Sequence, residues 1–223
     1  MSQLLTCDIC VIGAGSAGLS LAAGAAQLGA RTVLFERGKM GGDCLNYGCV
    51  PSKALLAAAH GAQNIREAQR FGIRCPEPEI DFAAVMAYVR SVIATIAPHD
   101  SVERFEGLGV RVIKADARFV GPREVSGGGV RVRARWIVIA TGSTAIVPPI
   151  PGIENTNPLT NETIFSLTTR PEHLLIIGGG PIGVEMAQAF RRLGSRVTIL
   201  ERTRLLKRDE PEFAQSLRQR LAA

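Results

Sequence analysis

One unit is written twice in this chain, and that duplication restricts the fold more than any other feature. Each copy is a short β-branched strand, a GxGxxG turn, a helix of small residues closing on Leu-Gly, an arginine-containing strand and a glutamate. The first copy runs from CDICVIG at 7–13 through Gly13, Gly15 and Gly18 to Glu36. The second begins at about Leu174 and runs through Gly178, Gly180 and Gly183 to Glu201; in both, the acid follows the last glycine by eighteen residues. Strand, helix and strand within so short a span make a βαβ unit, which demands a parallel sheet. Between the copies lies GGDCLNYGCVPSK at 41–53, two cysteines with four residues between them.

The remaining pattern fills in an α/β fold. The sequence predicts strands over 7–13 and 31–35 with a helix over 16–28 between them. Further helices are expected over 51–70 and from 81 to about 105, the second N-capped by Asp81 and broken or kinked at Pro98. From Gly109, VRVIKADARFV, REV and GVRVRARWIVIA read as β runs separated by Gly121-Pro122 and Gly127-Gly128-Gly129. They predict an antiparallel meander feeding a final buried strand, Trp136–Ala140. Pro148, Pro149, Pro151 and Gly152 form a stiff connector, so the expected domains are 1–148 and 149–223. The second unit should place a helix near 182–193 and a strand over 196–200. A last helix carries Glu210 and Glu212 early and Arg218 and Arg220 late, matching its own dipole.

Composition narrows the function classes. The 223 residues are 46% hydrophobic and 21% charged, ordinary for a globular chain of one large or two small domains. The net charge is +6, but the arginines are dispersed and only 5% of residues are aromatic, so no nucleic acid partner is expected. Arg131, Arg133 and Arg135 alternate and read as one solvated strand face. No apolar run is read as approaching the eighteen or so residues of a membrane span, and the N-terminus reads as a strand rather than a signal peptide. A cytoplasmic protein without a membrane partner is the expectation, and there a cysteine pair is more often catalytic or metal-binding than structural.

The glycines and cysteines carry the chemistry. A GxGxxG turn brings backbone N–H groups and a helix N-terminus up to a pyrophosphate with no side chain between, and the following acid accepts from ribose hydroxyls. Two such turns around a cysteine pair outline an electron path from dinucleotide to dinucleotide to dithiol. Of the five cysteines, Cys7 and Cys10 lie three apart on a strand. They are expected on opposite faces, neither bridging nor chelating. Cys75 sits in a loop without an evident partner. Cys44 and Cys49 differ. In a regular helix their Cα atoms would lie about 8.6 Å apart, whereas a disulfide wants about 4.4–6.8 Å. A bridge would require Leu45–Gly48 to leave the helix, which Asn46 and Gly48 tolerate. Pro51 suits a first helical turn, which sets Cys49 near a helix N-terminus, where thiols ionise more readily. No metal site is expected, because His60, His99 and His173 do not complete a ligand set.

GGDCLNYGCVPSK resembles the active-site segment of the class I pyridine nucleotide–disulfide oxidoreductases: dihydrolipoamide dehydrogenase, glutathione reductase and mercuric reductase. The motif order, the Ala140-Thr141-Gly142 strand end and the proline-rich connector match as well, so the resemblance covers essentially the whole chain. It implies a three-layer FAD-binding Rossmann-like domain with a β-meander, followed by part of a second Rossmann-like domain that binds NAD. By that resemblance Gly13, Gly15, Gly18 and Glu36 would hold the ADP half of FAD, with Gly42, Lys53, Thr141 and Gly142 also at the cofactor. Gly178, Gly180, Gly183 and Glu201 would hold NAD. Cys44 would be the interchange thiol and Cys49 the thiol facing the flavin, the two forming a disulfide when oxidised. Lys53 would lie by the reactive edge of the isoalloxazine, paired with Glu185. Electrons would pass from NADH to FAD to Cys44/Cys49 to a small-molecule or protein-bound disulfide, as in dihydrolipoamide dehydrogenase, within a homodimer. Family members are about twice as long, and their C-terminal half supplies the rest of the flavin site, the dimer interface and a histidine–glutamate acid–base pair. This stretch alone is therefore expected to hold FAD weakly and turn over poorly. The alternatives are a mercuric reductase-like metal reductase and a non-catalytic dinucleotide-binding module.

Overall fold

The computed structural model describes residues 3–222. They divide into two compact units, Met1–Pro51 with Ser91–Ile164, and Ser52–Arg90 with Phe165–Ala223. This is not the division expected at the proline-rich connector. Residues 52–90 join the second unit because their side chains pack there: the rings of Phe82 and Phe190 lie 5.9 Å apart, and Arg66 donates to the Arg192 carbonyl at 2.6 Å.

In the first unit a six-stranded sheet has the order β3-β2-β1-β6-β5-β4. The strands are β1 (Gln3–Ile12), β2 (Thr32–Phe35), β3 (Arg111–Ile113), β4 (Arg118–Gly121), β5 (Glu124–Gly127) and β6 (Val130–Ile139). β1, β2, β3 and β6 pair in parallel, as the βαβ reading requires, while β4–β5–β6 is the antiparallel meander. The run read as one strand over 110–120 is split between β3 and β4, which end at opposite edges of the sheet. Period-two alternation feeds two cores. Leu34 enters the cluster beneath helix α1 (Ser16–Gln27) with Leu19 and Phe105, and its neighbours Val33 and Phe35 enter the cluster shared with Val125 and Val132 of the meander.

Two expectations on these strands are overturned. Cys7 and Cys10 are both free and buried, but they share one face, in the cluster with Phe35 and Val132. The alternation breaks at Asp8: Asp8 and Ile9 both donate to the Arg31 carbonyl, at 2.9 and 3.2 Å, and the ladder to β6 skips Asp8. The break reverses the side-chain parity that follows it without inserting a residue, since Cys7↔Ala134 and Ile9↔Trp136 keep one register. The Asp8 carboxylate in turn accepts the Arg31 N–H at 2.9 Å and its guanidinium at 3.2 Å, which holds the irregularity in place. The end of β6 is not buried either; Trp136 and Ile139 are exposed. β5 accompanies β6 only over Val130–Arg133, so beyond that point one edge of β6 has no neighbouring strand among the described residues. Arg131 and Arg133 of the expected solvated face share Glu124.

The helices follow their local signals closely. α2 (Gly42–Asn46) and α3 (Cys49–Glu67) divide the cysteine segment, and α3 starts two residues before the expected Pro51. α4 (Phe82–Ile96) is capped by Asp81, whose carboxylate accepts from Ala84 N at 2.9 Å. Pro98 ends it in a 3-10 turn, Ala97–Asp100, and Ser101 caps α5 (Val102–Gly107). The combined helical run Phe82–Gly107, with mean hydropathy 1.3, is long and apolar enough by composition to cross a membrane, contrary to the sequence expectation. Its first segment, α4, has only 15 residues, short of the ~20 that a span takes.

A short helix α6 (Asn161–Ile164) closes the first unit. The second unit repeats the glycine motif on a two-stranded parallel sheet, β7 (His173–Ile177) with β8 (Arg196–Leu200), connected by α7 (Pro181–Arg192) and followed by α8 (Pro211–Ala222).

Candidate functional site

The first glycine turn is closed by backbone alone. Gly13 has φ +105°, and a Cβ there would stand 2.3 Å from the Ala140 carbonyl oxygen. A Cβ on Gly18 would stand 1.8 Å from the Gly13 carbonyl oxygen, so only glycine lets α1 begin against the strand end. Glu36 sits at the end of β2. Its carboxylate accepts from Ala14 N at 2.7 Å and from Gly38 N at 2.5 Å. A carboxylate offers about four acceptor positions, so two remain for hydroxyl donors. The glutamate borders a cleft of about 190 Å³ lined also by Gly13 and Thr141, with Arg37 and Asp116 paired at 3.8 Å on its wall. Gly142 is not among the lining residues, and it has φ +69° in open space. These features fit the adenosine and pyrophosphate of a dinucleotide.

The second turn repeats the helix-start clash and the acid's contact with the turn, though a Cβ on Gly178 would meet nothing within 4 Å. Gly178 has φ +111°, a Cβ on Gly183 would stand 2.2 Å from the Gly178 carbonyl oxygen, and Gly180 caps α7. Glu201 accepts from Gly179 N at 2.9 Å, and this pair spans 22 residues, as Ala14 and Glu36 do. Thr203, which sequence reasoning missed, replaces Gly38 and adds a hydroxyl: Glu201 accepts its N–H at 2.9 Å and its O–H at 3.0 Å. The Gly179 N–H first, then Thr203, draw the Glu201 carboxyl down from 4.5 to about 2. Because the folded value lies below the unfolded one, this stabilisation is complete above about pH 4.5 and is lost as the pH falls toward 2. Glu201→Gln should therefore narrow the acid-induced fall in melting temperature. Melts from about pH 6 to pH 2.5 test this; parallel curves for the two proteins would exclude it.

The cysteine segment leaves the helix where the spacing argument placed the break. α2 ends at Asn46, Tyr47 has φ −142° and ψ 0°, and α3 starts at Cys49. Asn46 ties the segment by donating to Met40 and Gly42 carbonyls at 3.0 and 2.8 Å. A Cβ on Gly48 would press on Asp43, 3.0 Å from its carboxylate. A Cβ on Gly42 would lie 2.5 Å from the Gly15 Cα, so α2 abuts the first glycine turn. Cys44 and Cys49 are both thiols in this structure and hydrogen-bond through their side chains, Cys44 half-buried and Cys49 exposed. That bond raises the Cys44 pKa, and burial adds to it. Two neighbours lie outside the motif and carried no sequence signal: Asn161 donates to the Asp43 carboxylate at 2.6 Å, and the Asp100 carboxylate packs against Gly41.

In the second unit Lys53, on α3, meets Glu185, on α7, at 2.5 Å, the pairing that the resemblance implied across 132 residues. Among the described residues no group of three or more His, Cys, Asp or Glu side chains could hold a metal ion.

A glycine-cradled dinucleotide turn abutting a vicinal dithiol, in a chain that carries a second such turn, defines a flavoprotein disulfide reductase-type oxidoreductase. The chain matches the pyridine nucleotide-disulphide oxidoreductase family over residues 7–223, and it belongs to that family. It is 41% identical over 213 residues to a mercuric reductase of Streptomyces lividans, covering 93% of this chain and 45% of that protein. With a mercuric reductase of Lysinibacillus sphaericus it shares 34% over 215 residues, 96% of this chain and 39% of that one. Among solved structures it superposes on the HOCl-induced flavoprotein disulfide reductase RclA from Escherichia coli, in its Cu(II) complex, with TM-score 0.81 and 30% identity. That match covers 96% of this chain and 46% of the RclA chain. The chain thus spans less than half the length of these relatives.

Proposed function

We propose that this chain is the dinucleotide-binding and dithiol-bearing part of an NADH-linked, FAD-dependent disulfide oxidoreductase. The observation that carries the reading is the hydrogen-bonded Cys44/Cys49 pair held beside the first glycine turn. Gly13, Gly15, Gly18 and Glu36 hold the ADP half of FAD, and Gly178, Gly180, Gly183 and Glu201 hold NADH. Bound flavin would relay an electron pair from the nicotinamide to the cysteines. The chain's own residues do the rest. Cys44, as thiolate, attacks a disulfide and releases one thiol. The Cys49 sulfur then attacks Cys44, releases the second thiol and closes the Cys44–Cys49 disulfide; two electrons and two protons pass to the substrate. The exposure of Cys49 suits a thiol that meets a flavin. The Lys53–Glu185 ion pair, short but solvent-accessible, would orient the lysine toward that cofactor. The resemblance favours a dihydrolipoamide dehydrogenase-like substrate and a homodimeric parent.

A second reading, in which a metal ion is the final electron acceptor, is favoured by the names of the mercuric reductase relatives. Both readings use the dithiol. Alkylation of the oxidised protein without reductant, followed by peptide mass mapping, tests that shared core. Cys44 and Cys49 are expected as one disulfide-linked peptide pair, with Cys7, Cys10 and Cys75 as thiols. Recovery of both Cys44 and Cys49 alkylated from freshly oxidised protein would exclude the redox assignment.

A further inference from the structure

The loop after β8 folds back onto the second glycine turn before the chain enters α8, and Gly179 is the residue it returns to. Leu206 N donates to the Gly179 carbonyl at 2.8 Å, and a Cβ on Gly179 would stand 2.4 Å from the Leu205 side chain. Gly179 is thus held at both of its backbone groups, because its N–H donates to Glu201 at 2.9 Å. The return requires φ +50° at Leu206, in the left-handed region where a leucine is strained. The first copy bends at the same place: Gly41 follows Glu36 by five residues, as Leu206 follows Glu201, and has φ +84°. Glycine takes that bend without strain; a leucine keeps it only where its surroundings hold it there. Arg204 does the holding. Its guanidinium donates to the carbonyls of Leu206 at 3.5 Å, Lys207 at 2.9 Å and Asp209 at 3.0 Å. Asp209 N closes the same turn on the Leu206 carbonyl at 2.9 Å.

We propose that Arg204 is a positioning residue of the second dinucleotide site: by tying the bend at Leu206 it keeps Thr203 on Glu201 and Leu206 on Gly179, so that acid and turn are set before NADH arrives. Thr203 N and its hydroxyl reach Glu201 at 2.9 and 3.0 Å from the residue next to Arg204, so a loop that swings away takes those bonds with it. The gain is preorganisation. A loop already ordered loses little freedom on binding, whereas an untied one has to order at the moment the nucleotide binds. The three bonds of Arg204 all go to carbonyls of its own loop, so the guanidinium acts through Thr203 and Leu206 rather than by its charge. This inference rests on the reading of the second turn as the NADH site, and it adds a residue that the glycine–acid motif does not contain.

The test combines NADH titration, followed by nicotinamide fluorescence, with amide hydrogen exchange at Thr203 and Leu206 read by NMR in the nucleotide-free chain. Arg204→Ala should speed exchange at both amides and weaken NADH binding about tenfold. Its melting temperature should stay near that of the parent, because Arg204 is exposed. Arg204→Lys keeps the positive charge but cannot span three carbonyls, and it should weaken NADH nearly as much. Leu206→Gly relieves the strained bend, so adding it to Arg204→Ala should restore much of the lost affinity. Full affinity in Arg204→Lys would overturn the proposal in favour of a simple charge effect. Unchanged exchange in Arg204→Ala, faster exchange with unchanged NADH affinity, or no rescue by Leu206→Gly would overturn it as well. Failure of the underlying reading looks different. An unsubstituted chain that does not bind NADH rejects the second turn as its site and the role of Arg204 with it; a parent that binds NADH no more tightly than Arg204→Ala rejects this inference alone.

Discussion

Gly18→Ala should lower the stability of this protein by at least about 3 kcal/mol, a fall of roughly 10 °C in melting temperature. The reason is the 1.8 Å that would separate the new methyl from the Gly13 carbonyl oxygen, with the Gly13 carbonyl carbon at 3.0 Å and the Val11 side chain at 3.3 Å behind it. The obstructing atom is backbone, held in place because Gly13 N donates to the Phe35 carbonyl at 2.8 Å, so no rotamer change relieves the clash. α1 would have to move outward from β1, uncovering Val11 and Leu19, which are buried between them. The same helix supplies the control. Gly24 meets nothing within 4 Å, so Gly24→Ala replaces a poor helix former at no steric cost and should stabilise by about 0.5–1 kcal/mol. Thermal melts of the two variants decide the matter. Equal shifts would show that the turn is not sterically locked, and with it the account of why glycine stands at positions 13, 18, 178 and 183 would fall.

What the sequence disclosed, and what it withheld, divides along the range of the interaction. The duplicated turn was legible because glycine positions, the terminal acid and the Leu-Gly helix ends are local, and every one of them is where the spacing placed it. The break between Cys44 and Cys49 was legible for the same reason, since a five-residue spacing conflicts with helical geometry. The shared face of Cys7 and Cys10 was not legible. Strict alternation separates them, and the break in alternation that unites them depends on Arg31, twenty-three residues away in the case of the Asp8 contact. The split between β3 and β4 was hidden because VRVIKADARFV has β character throughout, and nothing within it tells which edge of a sheet each half will join. Asp100 and Asn161 were invisible as partners of the cysteine segment. Asn161 reaches Asp43 across 118 residues, and an aspartate in a helix-terminating turn reads locally as a cap. The exposure of Trp136 was not legible either, because its run is apolar throughout and nothing within it tells that only part of β6 has strands on both sides.

NADH should be preferred to NADPH by about a hundredfold in affinity. Glu201 is the residue that decides. It is ionised down to about pH 2, so at neutral pH any group placed beside it meets a full negative charge. Three of its roughly four acceptor positions are engaged, one by Gly179 N and two by Thr203. Rotation of the Thr203 hydroxyl frees another, enough for the two hydroxyls of a ribose but of no use to a phosphate, which has no proton to donate when fully ionised. The neighbouring cations matter because they could reverse the preference. Arg204 is committed elsewhere: its guanidinium donates to the carbonyls of Lys207 at 2.9 Å and Asp209 at 3.0 Å, holding its own loop. Lys207 does act on Glu201, but as the smallest of the influences that lower it, behind the three hydrogen bonds. One weakly coupled lysine against a fully ionised carboxylate leaves the balance with the hydroxyl form of the ribose. Nucleotide titrations followed by reduced-nicotinamide fluorescence give both affinities directly. Glu201→Gln should narrow the gap by removing the repulsion, and Lys207→Ala should widen it by removing a cation that acts on the acid. Equal or tighter binding of NADPH to the unsubstituted chain would show that Glu201 does not face the ribose, and the second turn would then need another ligand.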